Sequence, residues 1–171
     1  MARLGNLKKI PHMLFTESEC KKIRAKKIAR SASSNRSNDR PRILVVEDDS
    51  VLRRLNAEVL ICSGYQVDAA DSGATAWDAL QVNDYDLMIT DNNMPQVSGV
   101  ELIGKMHAAG LAIPVIMATG TFPTAEFTKS PWLRPVCLLL KPYSMDALLS
   151  AVKDVVSAPS SASPEILAVS K

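Results

Sequence analysis

Five short apolar runs constrain how this chain can fold. They occupy residues 42–46, 66–70, 86–90, 114–118 and 136–140. Stretches of helical periodicity at 50–62, 72–82, 99–109 and 144–157 alternate with them, and a weakly signalled short helix falls within 123–130. Strands alternating with helices imply a mostly parallel sheet with helices on both faces, an α/β architecture. Runs such as ILVV, DLMIT and PVIMA are apolar almost throughout rather than at every second residue, as strands buried on both sides require. Val51, Leu52, Leu55 and Val59 recur at the 3/4 spacing of a core-facing helix. Gly64 and Gly110 stand where helix C-termini favour a left-handed residue.

Charge divides the chain. Residues 1–42 carry 12 Lys/Arg against 3 acids, whereas residues 43–171 carry 8 Lys/Arg against 15 acids, so a basic leader precedes an acidic folded part. Residues 1–40 are read as a flexible basic extension: 31–39 are a Ser/Asn-rich linker, and 17–30 form at most a thinly amphipathic helix. Residues 41–157 are read as the single domain, and 158–171 as a disordered Ser/Pro-rich tail. No apolar run is long enough to span a membrane, and no apolar stretch of signal-peptide type follows the basic start. The three cysteines form no CxxC pair, which argues against zinc and a disulfide framework; Cys62 and Cys137 are expected as buried thiols. A cytoplasmic protein is the simplest reading.

Several apolar runs end in groups that carry chemistry. The first runs into Glu47-Asp48-Asp49, the third into Asp91, the fourth into Thr119 and the fifth into Lys141-Pro142. Right-handed βαβ connections place these ends along one edge of the sheet, where open α/β sheets position their sites. Carboxylates packed together either gain protons or are neutralised by a cation, and hard oxygen ligands with open positions suit Mg²⁺. Asp91 is then placed to attack phosphorus as a carboxylate nucleophile. Lys141 would neutralise the transferring oxygens, and the Thr119 hydroxyl would donate to one of them. Singly, each feature has a plain structural explanation. Asp49 or Ser50 caps a helix starting near Val51, Asp91 to Pro95 is an ordinary Asx turn, and Thr119 is a loop hydroxyl. Acid, acid, hydroxyl and lysine on four strand ends have no joint structural requirement. His107 complements the dipole late in its helix, and Trp77 and Trp132 are read as packing residues.

From about residue 42 to 156 the chain resembles a response regulator receiver domain of two-component signalling. The motifs that carry this are ILVVEDD (43–49), DNNMPQVSGVEL (91–102), PVIMATG (114–120) and LLLKPY (138–143). The resemblance implies a flavodoxin-like, doubly wound, five-stranded parallel sheet of order 2-1-3-4-5. It implies that Asp91 is the phosphoacceptor, and that Mg²⁺ is ligated by Asp48 and Asp91 through side chains, Asn93 through its carbonyl and Glu47 through water. Thr119 would be the switch hydroxyl, and Lys141 would contact the phosphoryl group. Pro142 matches the family's cis-proline position. Asn93 and Thr121, each two residues after a site residue, would border the path of attacking water and tune phosphoryl lifetime. The donor would be a sensor histidine kinase or a histidine phosphotransfer protein. The output would be a conformational shift read by a downstream protein, without enzymatic activity of its own.

Two features depart from the family pattern. Leu138 stands where family members usually carry the switch aromatic, and residues 121–135 hold three prolines, so the fourth helix must be short or distorted. Three other functions compete. A DNA-binding regulator would use the basic leader as its arm, although that segment has little aromatic interleaving. An aspartate-nucleophile phosphatase would need a second carboxylate two residues after Asp91, where Asn93 stands. A flavodoxin-type FMN binder would need a Ser/Thr/Gly loop where Glu47-Asp48-Asp49 would repel phosphate.

Overall fold

The computed structural model describes residues 40–158 and the backbone of Leu167–Ala168. Its elements run β1 (Arg42–Val46), α1 (Ser50–Cys62), β2 (Gln66–Ala70), α2 (Gly73–Val82), β3 (Leu87–Thr90), α3 (Gly99–Ala108), β4 (Val115–Thr119), α4 (Thr124–Lys129), β5 (Cys137–Leu140) and α5 (Met145–Ser157). β1 to β5 form a parallel sheet in the order 2-1-3-4-5. A two-residue strand β6 (Leu167–Ala168) pairs parallel with β5, in a stretch that the sequence reading assigned to the tail.

Strand residues alternate between two cores, one on each face of the sheet. Leu44, Val46, Met88 and Met117 pack toward α2 and α3, with Val100, Ile103 and Met106. Ile43, Val45, Leu87, Ile89, Ile116 and Ala118 face the other way, toward α1 and α5, with Leu60, Leu148 and Val152. Burial on both faces is why these strands read as continuous apolar runs. Gly64 (φ 91°) and Gly110 (φ 71°) close α1 and α3 in the left-handed conformation expected of them.

The proline-rich stretch is the irregular part. α4 has six residues, no side-chain cap on its N-terminal Pro123, and gives way to a 3₁₀ turn over Pro131–Leu133. Phe127 and Leu133 are the anchors that bury this segment. Trp132, expected to pack, is 54% exposed and instead lies against the His107 ring at 4.5 Å between centroids. His107 therefore has a ring partner besides the end of α3. Cys137 is a free buried thiol, as expected. Cys62 is buried but disulfide-bonded, which corrects the expectation of a thiol there; cysteine spacing carries no information on pairing. No described helix is long and apolar enough to cross a membrane.

Candidate functional site

The C-terminal ends of β1, β3, β4 and β5 meet on one rim of the sheet. Register does this directly: Val46 pairs with Thr90, so Glu47 and Asp91 leave neighbouring strands at the same height. Thr119 pairs with Leu140, which sets Lys141 beside them. Backbone bonds continue the ladders past the strand ends, from Asp91 N to Val46 O at 3.0 Å and from Lys141 N to Thr119 O at 3.0 Å. The Lys141–Pro142 peptide is cis, as the resemblance implies.

Carboxylate oxygens of Glu47, Asp48 and Asp91 lie within 4.8 Å of one another. Glu47 and Asp91 are buried and Asp48 is exposed, so the cluster has a floor and one open side. Lys141 Nζ donates to Glu47 Oε2 and to Asp91 Oδ2, each at 2.7 Å. Burial pushes the Glu47 carboxyl up, because one ammonium serves two carboxylates and cannot fully offset desolvation. Burial alone would lower Lys141, but its hydrogen bonds to Asp91 and Glu47 outweigh this and hold it above the usual lysine value. The second Asp91 oxygen, Oδ1, accepts from the Asn93 amide at 3.1 Å. An all-oxygen set of this size, part buried and part open, fits a hard divalent cation.

The remaining predicted residues surround this cluster. Thr119 is fully buried at the end of β4; its hydroxyl donates to Thr121 O at 3.1 Å and accepts from Thr121 N at 3.4 Å. The Asn93 and Thr121 side chains are exposed at the mouth. Asp49 stays out of the cluster. Its Oδ1 accepts from Val51 N and Leu52 N at the start of α1, and those two bonds hold its carboxyl below the usual range. Leu138 is half-buried against the α2/α3 core.

Sequence reasoning missed four supports of the site. Arg53 on α1 donates Nη1 to the carbonyls of Glu47 and Asp48, fastening the acidic loop from behind. Asn92 Oδ1 accepts from Val100 N at 3.1 Å and its carbonyl from Gly99 N at 3.2 Å, folding the loop after Asp91 onto the start of α3. Gly99 lies so close that a Cβ there would fall 2.4 Å from Asp91 O. Asn56 donates to the Tyr143 hydroxyl at 2.8 Å, linking α1 to the loop after Lys141. Of these only Gly99, a glycine directly after the Ser98 cap, carried a readable signal; the others are tertiary pairings with no local signature.

A family model described as the response regulator receiver domain matches residues 43–153. The chain belongs to this family. This receiver domain is 31% identical over 117 residues to the response regulator receiver protein CpdR of Brucella abortus, covering 68% of this chain and 98% of CpdR. It is 36% identical over 112 residues to the sensor histidine kinase RcsC of Salmonella typhi, covering 66% of this chain but only 12% of RcsC. Among solved structures, the response regulator TrrA of Thermotoga maritima, in complex with Mg²⁺-BeF, superposes with a TM-score of 0.60 at 31% identity, covering 67% of this chain and 98% of TrrA. The sheet order and the receiver assignment from sequence are therefore borne out, and neither the DNA-binding nor the phosphatase alternative is favoured.

Proposed function

We propose that residues 41–157 form a phosphoacceptor unit in which Asp91 receives a phosphoryl group from a phosphohistidine of a kinase or phosphotransfer protein. The observation that carries this reading is the single ammonium of Lys141 bridging Glu47 and Asp91 at 2.7 Å, beside an exposed Asp48. Asp48, Asp91, the Asn93 carbonyl and Glu47 are the residues that would hold Mg²⁺. The ion would supply neutralisation of phosphoryl oxygens that Lys141 alone cannot. In the resting geometry Lys141 occupies Asp91 Oδ2. An incoming phosphoryl group draws the ammonium onto its own oxygen and frees that lone pair for in-line attack. The new P–O bond to Asp91 forms as the donor's P–N bond breaks; its electron pair stays on the imidazole, which takes a proton. The buried Thr119 hydroxyl exchanges its bond to Thr121 O for one to the phosphoryl group, pulling on the 120–123 loop. Thr121 and Asn93, exposed at the mouth, set how water reaches the adduct. The output is a shifted surface read by a protein partner rather than a reaction on a small substrate. The DNA-binding alternative rests on a leader that, except for Arg40, lies outside the described residues.

The test is intact mass after incubation with acetyl phosphate, with and without Mg²⁺, beside Asp91→Asn. A Mg²⁺-dependent, base-labile gain of one phosphoryl group, absent in the variant, supports the reading. An unchanged mass, or an equal gain in Asp91→Asn, refutes it.

A further inference from the structure

The loop that carries Lys141 is fixed at both ends. Lys141 N donates to Thr119 O, and Ser144 caps α5 by accepting from Ala147 N at 3.1 Å. Between them lies Pro142, exposed and without an amide to donate, and then Tyr143. The Tyr143 ring packs on the α1/α5 core, and its hydroxyl accepts from Asn56 Nδ2 at 2.8 Å. Asn56 is 1% exposed, and its Oδ1 accepts no hydrogen bond among the described residues. A buried amide with one oxygen unsatisfied costs stability relative to an apolar residue of the same size. Asn56 is a buried residue of α1, the helix that gives the α1/α5 core its Val59 and Leu60, where an apolar side chain is the ordinary occupant. A polar pair that packing does not require, placed two residues from Lys141, points to a positional role.

Resting on the phosphoacceptor reading above, we propose that Asn56 and Tyr143 are positioning residues. Their hydrogen bond is a strut from α1 that fixes the middle of the 141–144 loop, and so sets where Lys141 Nζ meets the Asp91 carboxylate. Neither residue touches the reacting atoms. Their effect passes through Lys141 alone, because the ligating carboxylates sit on the other loops.

The test uses the full chain, with the phosphorylation rate at saturating acetyl phosphate read by intact mass and Mg²⁺ affinity read by calorimetry. Tyr143→Phe removes only the hydroxyl, and Asn56→Leu replaces the amide with an apolar side chain of similar size. Each is expected to slow phosphorylation by about tenfold, the scale of a sub-ångström misplacement of a charged group. Mg²⁺ affinity should stay within about twofold of wild type, since the strut does not support the metal ligands. The double variant should be no slower than either single one. In a Lys141→Ala background Tyr143→Phe should change nothing further, a result that general loosening of the fold would not give. Wild-type rates in both single variants, multiplied effects in the double, or a further loss in the Lys141→Ala background would overturn the strut. Failure of wild type itself to take up phosphoryl, with Mg²⁺ bound, would overturn the phosphoacceptor reading instead.

Discussion

Gly99→Ala is the sharpest probe of how the site is built. The added methyl would sit 2.4 Å from Asp91 O and 3.1 Å from both Asn92 Cα and Asp91 C, all backbone atoms. Ordinary contact begins near 3.4 Å, so either the start of α3 or the Asp91 peptide must move by about 1 Å. Overpacking of this kind costs about 1–3 kcal/mol. Alanine's helix propensity returns at most about 1 kcal/mol, and less at the first helical position. A net loss of roughly 1–2 kcal/mol is expected as a lower urea midpoint at unchanged slope. The displacement falls on the backbone of Asp91, the proposed phosphoacceptor, so phosphorylation by acetyl phosphate should slow by about tenfold or more. Gly104→Ala is the control. Its Cβ would meet only Leu133 Cδ2, at 3.6 Å, so the variant should be more stable by about 0.5–1 kcal/mol at wild-type rate. If Gly99→Ala matched wild type in both midpoint and rate, the claim that α3 is seated against the Asp91 peptide would be wrong.

Three further outcomes are expected. Lys141→Ala leaves buried Glu47 without its cation, at a cost of up to about 3–5 kcal/mol, an upper bound because Lys141 is 22% exposed. Glu47 already holds its proton more tightly folded than unfolded, and more so without the lysine. The penalty should therefore grow as pH rises through the carboxylate range and fade in acid, and urea midpoints across pH 4–8 would read it. Arg53→Ala releases the carbonyls of Glu47 and Asp48 and should weaken Mg²⁺ binding about tenfold by calorimetry; unchanged affinity would show that the loop holds itself. Ser98→Ala removes one half of the capping box with Glu101 and should cost about 1 kcal/mol by urea denaturation.

The strands were legible because burial on both faces leaves apolar runs, and their charged ends gave the site. Ile43 to Val46 running into Glu47-Asp48, and Leu87 to Thr90 into Asp91, needed only parallel register to bring the carboxylates together. Asp49 was readable as a cap because its bonds are local. What stayed hidden depends on distant partners. The target of Arg53 is the backbone six residues earlier, Asn56 meets a tyrosine 87 positions away, and Cys62 pairs without any spacing signal. The 121–135 segment showed its irregularity through prolines, but not that Trp132 would stand exposed against His107.

The described residues begin at Arg40, two residues before β1, the strand flanked by β2 on one side and β3 on the other. The strand's entry point is the rim opposite the carboxylates, about 17 Å away at 3.3 Å per residue. Tension applied at residue 40 itself would be shared along β1 by both neighbouring ladders, loading their bonds together in shear rather than peeling them one at a time. The position of its first strand thus gives this receiver a mechanically firm anchoring end, set apart from its reactive one.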